Sequence, residues 1–331
     1  MDAQVLLRPW EHHDRCLYVV PLSKLLAEPQ FGIFALGDPS HGFLEFKLRA
    51  SVAPDEAIRA VATVHGPRKT TEGVNLVVGF RPELWRSVVP GNCPADARSF
   101  ERDLVGPDNY TIPATQADVF LWIAGASYDN VFDVCTSVLQ SLGAHLELVR
   151  EATGWTYQHN RDLTGFQDGT ENPDLIAAPG VVLIPEGEPG AGGTILLFQQ
   201  WKHHSNDWQS LPTAEQERVI GRTKGDSIEL PGDIMPSDSH VTRTTLTQNG
   251  EQLQIFRRNT PYGSVMDHGT MFVGFAREQY RLQRMLEQMI GIPDGVRDAL
   301  TRYTQPLTSA YYFIPALTAL AKLVGPITQG G

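Results

Sequence analysis

Cysteine is scarce: Cys16, Cys93 and Cys135 are the only three in 331 residues, and they lie far apart. That spacing excludes a disulfide framework and a zinc-ligand signature, and it suits a reducing compartment. No run approaches the roughly 20 apolar residues that span a bilayer. The opening residues, Met1 to Trp10, lack a basic segment followed by an apolar one and contain no twin arginines. They do not read as a signal peptide, and the expected compartment is the cytoplasm. Basic residues are outnumbered, 27 Lys and Arg against 38 Asp and Glu, for a net charge of −11. Phosphate neutralisation needs clustered Lys and Arg, so nucleic acid is not an expected partner, and acidity disfavours anionic membranes. Long-range steering would weakly favour neutral or cationic substrates.

What remains is the composition of a globular protein, with 41% hydrophobic and 20% charged residues. The length suits two domains of ordinary size. Leu44, Phe46 and Leu48 alternate with Glu45 and Lys47, which predicts a half-buried strand from Phe43. Strands are also expected at Val74–Phe80, Asp118–Ala124 and His145–Arg150. Helices are expected at Asp55–Val64, Pro82–Val88 and Asn130–Leu142, the last with Val131, Val134, Cys135, Val138 and Leu142 on one stripe and Gly143 as its stop. The second half repeats the theme. It has strands at Thr194–Gln199, Gln252–Arg257 and Thr270–Ala276, and helices at Thr213–Ile220 and Arg277–Ile290. Residues 174–193 read as an exposed connection. Antiparallel sheets with helices on one face, an α+β class, are the expected layers.

One stretch concentrates chemical information: Gly165-Phe166-Gln167-Asp168-Gly169-Thr170-Glu171-Asn172-Pro173. Glycines and proline permit tight backbone geometry around one carboxylate, Asp168, and such a loop can bring its backbone close to a ligand. Seventy-two residues later stands His240, and seventeen beyond it Arg257, in Phe256-Arg257-Arg258-Asn259.

These three residues, in these motifs and at these separations, resemble the dye-decolourising peroxidases, most closely class B, over about Pro29 to Pro315. The resemblance implies two ferredoxin-like domains, residues 29–156 and 157–320, flanked by a lead-in (1–28) and a tail (321–331). It implies one haem b per chain, held without covalent attachment, which agrees with the lack of a Cys-x-x-Cys-His motif. His240 would ligate the iron, with Asp298 as acceptor for its other ring nitrogen. Asp168 and Arg257 would form the distal pair, one moving a proton and the other facing the developing negative charge. Asn259 matches a polar distal position. Phe256 and Phe275 are expected as apolar pocket walls, and Arg222 as a partner for a haem propionate. Thr170, Glu171 and Asn172 are expected to border the haem edge, Glu171 as a weak candidate for manganese.

The implied reaction uses hydrogen peroxide to oxidise dye-like or phenolic donors by one-electron steps, with Trp122, Trp155, Trp201 and Trp208 as candidate relays. The alternative is a protein that handles haem or porphyrin as cargo with incidental peroxidase activity. A carrier needs only His240 and apolar walls, so Asp168 and Arg257 favour the enzyme. Chlorite-dismutase-like proteins, which lack the Gly-Phe-x-Asp-Gly loop, rank third. A homo-oligomer is implied. A shell protein is an implied partner where a C-terminal extension exists, but the tail Gly325–Gly331 is too short to read as one.

Overall fold

The computed structural model describes residues 27–64 and 73–324. The expected lead-in, apart from residues 27 and 28, and the tail beyond 324 lie outside the described residues. The elements begin with β1 (Ser40–Leu48), α1 (Pro54–Ala62), β2 (Val74–Phe80), α2 (Pro82–Val88), β3 (Leu104–Val105) and β4 (Thr111–Ile112). Then come β5 (Val119–Gly125), α3 (Tyr128–Leu142), β6 (Leu146–Trp155), α4 (Ala178–Val182) and β7 (Thr194–His203). The polar stretch that follows holds α5 (Ser205–Ser210), α6 (Thr213–Ile220), α7 (His240–Thr244), β8 (Thr247–Gln248) and β9 (Glu251–Gln252). The chain closes with β10 (Phe256–Arg257), β11 (Thr260–Gly263), β12 (His268–Ala276), α8 (Gln279–Met289), β13 (Thr304–Ile314) and α9 (Leu317–Val324).

Helix starts follow local chemistry. Pro54 and Pro82 stand at first-turn positions, where no amide hydrogen is needed, and Asp55, Glu56 and Glu83 offset the positive end of the helix. Gly221 ends α6 in the left-handed region at φ 93°, which glycine adopts without strain.

The long strands form one antiparallel sheet in the order β10-β12-β11-β6-β1-β5-β2-β13-β7, and a further pairing of β12 with β7 closes it on itself. Closure gives the strands two buried faces. The inner face carries Phe43, Phe120, Trp122, Phe198, Phe275 and Tyr312. The outer face, with Leu44, Phe80, Leu121, Leu197 and Phe313, packs under α1, α2, α3 and α8. The expected solvated side of β1 is therefore wrong for Glu45. It lies inside, 2% exposed, accepting from the Tyr312 hydroxyl at 2.5 Å and from Arg150 Nε at 2.6 Å. Lys47, beyond the closed part, is exposed as expected.

Other expectations need correction. β13 has no counterpart in the sequence reading, because Pro306 interrupts it at a register shift and its second half is buried on both faces. The expected strand Gln252–Arg257 breaks after Gln252. The ladder resumes at Phe256, since the Gln254 amide turns back onto the Gln252 carbonyl. The connection 174–193 contains α4, whose Ala178 and Val182 are fully buried against the inner core. Gly143 ends α3 with φ −61°, an ordinary helical value.

Two narrow seams join the halves of the sheet. Tyr262 pairs with Gly154 on one side, and Phe313 with Phe80 on the other. At the first, a Cβ on Gly154 would collide with Thr260 Oγ1 and stand 3.0 Å from the Pro261 carbonyl. Gly154→Val should therefore cost about 1–3 kcal/mol. Urea unfolding should show a lower midpoint with an unchanged slope. Among the described residues no helix is long and apolar enough to cross a membrane.

Candidate active site

Asp168 sits on a tight turn. The Asp168 amide donates to the Asn160 carbonyl at 3.0 Å and the Asp162 amide to the Phe166 carbonyl at 2.9 Å, while Gly165 and Gly169 take positive φ. The turn is fastened to the sheet by Asn172. Its Nδ2 donates to the Arg257 carbonyl and its Oδ1 accepts the Arg257 amide, both at 2.8 Å. Asp168 and Arg257 are thus registered to each other through backbone, before any side-chain contact.

Arg257 and Asn259 straddle an irregularity in the ladder. The Arg258 amide bonds to the Val273 carbonyl at 2.8 Å, but the Val273 amide is taken by Asn259 Oδ1 at 3.0 Å. A side chain replaces a main-chain acceptor there, a bulge-like device that re-aims neighbouring residues. Asn259 also donates to Asp168, which leaves a polar trio, Asp168, Arg257 and Asn259, lining one cleft. Among the described residues Arg257 makes no ion pair of its own.

Burial pushes the Asp168 carboxyl above the ordinary aspartate range. The Arg257 charge opposes this and the Asp162 carboxylate adds to it. A carboxyl of raised proton affinity beside a fixed cation suits proton exchange with a bound acid.

His240 lines the same cleft. It starts α7. Ser239 is the N-cap, its Oγ accepting the Thr242 amide, and the cap outweighs the strand preference of Val241 and Thr242. Its Nδ1 lies 2.7 Å from Asp298 Oδ2. A carboxylate only accepts, so Nδ1 carries the hydrogen and Nε2 is the nitrogen with a free lone pair. Asp298 is 0% exposed, and its Oδ1 accepts the Leu300 amide at 2.9 Å, capping a short helical turn. That is the orientation and support a ligating imidazole needs.

The cleft has apolar walls from Val241, Phe272, Met285, Leu286, Met289 and Leu300. Arg222 stands on its rim, paired to Glu171 and to Glu229 (3.1 Å), and its buried Nε has no partner among the described residues. A flat apolar macrocycle with carboxylate edges and a metal wanting one nitrogen ligand fits this donor set. The residues present therefore suit haem.

Several expected positions fall elsewhere. Phe256 and Phe275 do not line the cleft; strand alternation turns them into the closed sheet while Arg257 faces out. Asn172 serves the backbone of Arg257. Thr170 and Glu171 do line the cleft, but Glu171 is engaged with Arg222. No group of three or more His, Cys, Asp or Glu among the described residues is placed to hold a metal ion. Of the tryptophans, Trp201 lines the cleft, Trp208 packs behind Phe166, Trp122 is in the inner core, and Trp155 is 36% exposed. Sequence reasoning missed Asp162, His203 and Thr270, which also line the cleft.

Comparison with known proteins agrees with this architecture. Residues 159–319 match the family described as Dyp-type peroxidase, C-terminal. A dye-decolourising peroxidase of Mycolicibacterium paratuberculosis is 34% identical over 277 residues, covering 78% of each chain. The solved dye-decolourising protein of V. cholerae superposes with a TM-score of 0.80 at 32% identity, over 88% of this chain and 98% of that one. A DypB variant of Rhodococcus jostii RHA1 in complex with haem gives 0.79 at 31% identity, over 90% and 97%.

Proposed function

The chain belongs to the dye-decolourising (Dyp-type) peroxidase family, and from that premise we propose that it is a haem b peroxidase using hydrogen peroxide, with dye-like or phenolic compounds giving up one electron at a time. The observation that carries this is the convergence on one apolar cleft of two sets of side chains: Asp168, Arg257 and Asn259, and His240 braced by Asp298. When bound, haem supplies a redox-active iron that can give two electrons to peroxide and regain them singly. His240 Nε2 would ligate that iron, with Asp298 fixing the ring, and Arg222 would answer a propionate.

Asp168 acts on the proton. Its carboxylate would accept a proton from one oxygen of hydrogen peroxide and return it to the other, so that this oxygen departs as water when the O–O bond breaks with the two electrons that bound haem would supply. Asn259, anchored on the Val273 amide, holds that carboxylate in place. The Arg257 guanidinium faces the negative charge that grows on the departing oxygen. A base works only when ionised, and the Asp168 carboxyl is shifted upward. The peroxide rate should therefore fall as pH drops through a midpoint above the ordinary aspartate value.

The finer architecture belongs to the same reading. We propose that residues 29–156 and 157–320 form two ferredoxin-like units. What supports this is the repeated order of strands, β6-β1-β5-β2 in the first half and β13-β7-β12-β11 in the second, with α8 crossing between β12 and β13 as α3 does between β5 and β6.

The test is a stopped-flow visible spectrum of the haem-loaded protein mixed with hydrogen peroxide, beside Asp168→Ala. Rapid loss of Soret intensity in the parent, slowed about 100-fold in the variant, is expected. A stoichiometric Soret band that needs His240 yet barely responds to peroxide would sink the reading in favour of a haem carrier.

A further inference from the structure

Asp168 shares its turn with a second acid. Asp162, six residues earlier, lines the same cleft, and both residues also line a second, more polar chamber. The two are unequally provided for. Asp162 Oδ1 accepts the Thr164 amide at 2.8 Å, and Oδ2 is in contact with the Thr270 hydroxyl. Thr270 Oγ1 in turn lies 3.0 Å from His203 Nε2, which is 4.0 Å from Asp162 Oδ2. One arrangement of hydrogens satisfies all of these atoms. His203 donates from Nε2 to Thr270, Thr270 donates to Asp162, and Asp162 only accepts, as a carboxylate does. Asp168 has the Gly169 amide at 2.6 Å and the Asn259 side chain.

Two nearby carboxyls in a partly desolvated turn do not both ionise freely, and the better solvated one keeps the charge. We propose that Asp162 is a positioning residue for the peroxide reaction: a carboxylate held by Thr164, Thr270 and His203 that makes Asp168 the member of the pair that binds the exchanging proton. The proposal rests on the reading of Asp168 as the acid–base group. The charged or titratable groups facing Asp168 are Arg257 on β10 and Asp162 on its own turn. Those around Asp162 are His203 on β7, with His204 and His268 beside it, and Asp168. The directions agree. Burial would raise Asp162, but His203 and the threonine hydrogen bonds outweigh it, so its carboxyl lies below the ordinary range. Burial lowers His203 against the opposing pull of the Asp162 carboxylate, and its Nε2–H can meet Thr270 whichever form the ring takes.

The experiment follows fluoride binding to the haem-loaded full chain across the acid range, read from the visible spectrum, with the peroxide rate alongside. Fluoride on ferric haem is stabilised by a proton on the distal acid, so its pH dependence reports Asp168 without turnover. In Asp162→Asn both midpoints should fall by about one pH unit, which is about a tenfold faster peroxide reaction on the acid limb. Thr270→Val keeps both carboxylates and loses the clamp; its midpoint should move the same way by less, and it carries the test if Asp162→Asn does not fold. Midpoints equal to the parent's, with rates scaled uniformly at every pH, would overturn the proposal and leave Asp162 a purely structural group. A pH dependence that survives Asp168→Asn would instead defeat the underlying reading of Asp168.

Discussion

Arg257→Leu should slow the reaction with hydrogen peroxide by about 100- to 1000-fold while leaving haem uptake unchanged. The magnitude is that of removing one fixed donor from a site of developing charge. The separation of effects follows from how the residue is held. Its backbone is pinned by Asn172 on one side and by pairing with Gly274 on the other, so the turn and the ladder do not depend on the guanidinium. Single-mixing kinetics at several peroxide concentrations would measure the second-order rate, and a Soret titration of the haem-free protein would measure uptake. A fall in both together would mean that Arg257 serves mainly to hold a propionate, and the departing charge would need another partner.

The second large effect concerns His240. His240→Ala should weaken haem binding by at least about 100-fold, since even loss of the outer partner of a ligating histidine typically costs 10- to 100-fold. It should also destabilise the haem-free protein. Asp298 is 0% exposed, and without His240 it keeps only the Leu300 amide. An uncompensated buried charge costs about 3–5 kcal/mol. The double variant His240→Ala with Asp298→Ala removes that charge and should recover part of the stability without recovering haem binding. Urea unfolding of the parent, the single and the double variant separates the two terms. Equal stability in the two variants would show that Asp298 is otherwise satisfied.

The polar skeleton of the site was legible because its residues sit in marked local chemistry. Asp168 lies in a glycine-bounded turn, Arg257 on a strand two residues before Asn259, and His240 at a set separation from both. What escaped the sequence depended on closure of the sheet. Periodicity tells which residues share a face, but not which face meets the cleft. Phe256 and Phe275 were therefore expected against haem and instead lie in the inner core. Glu45 was assigned to solvent for the same reason. Asn172 was read as a cofactor neighbour because nothing local announces that its amide will mate with a backbone eighty-five residues away. Asp162 carries no motif of its own. Its significance arises only when the turn brings it beside Asp168 and β7 and β12 bring His203 and Thr270 to it.

The two seams also order events during synthesis. Strand β2, already paired with β5, gains its second neighbour only when residue 313 has been made, and β6, already paired with β1, only when residue 262 has. Until then the ribosome displays a half-finished wall whose inner aromatic side, Phe43, Phe120 and Trp122, has no lid. Closing such distant partners is entropically slow, and an uncovered sheet edge invites pairing with another nascent chain. Production of this protein should therefore be limited by the interval between the first half's emergence and the arrival of β13. Slowing translation in the second half should lower soluble yield more than the same delay in the first.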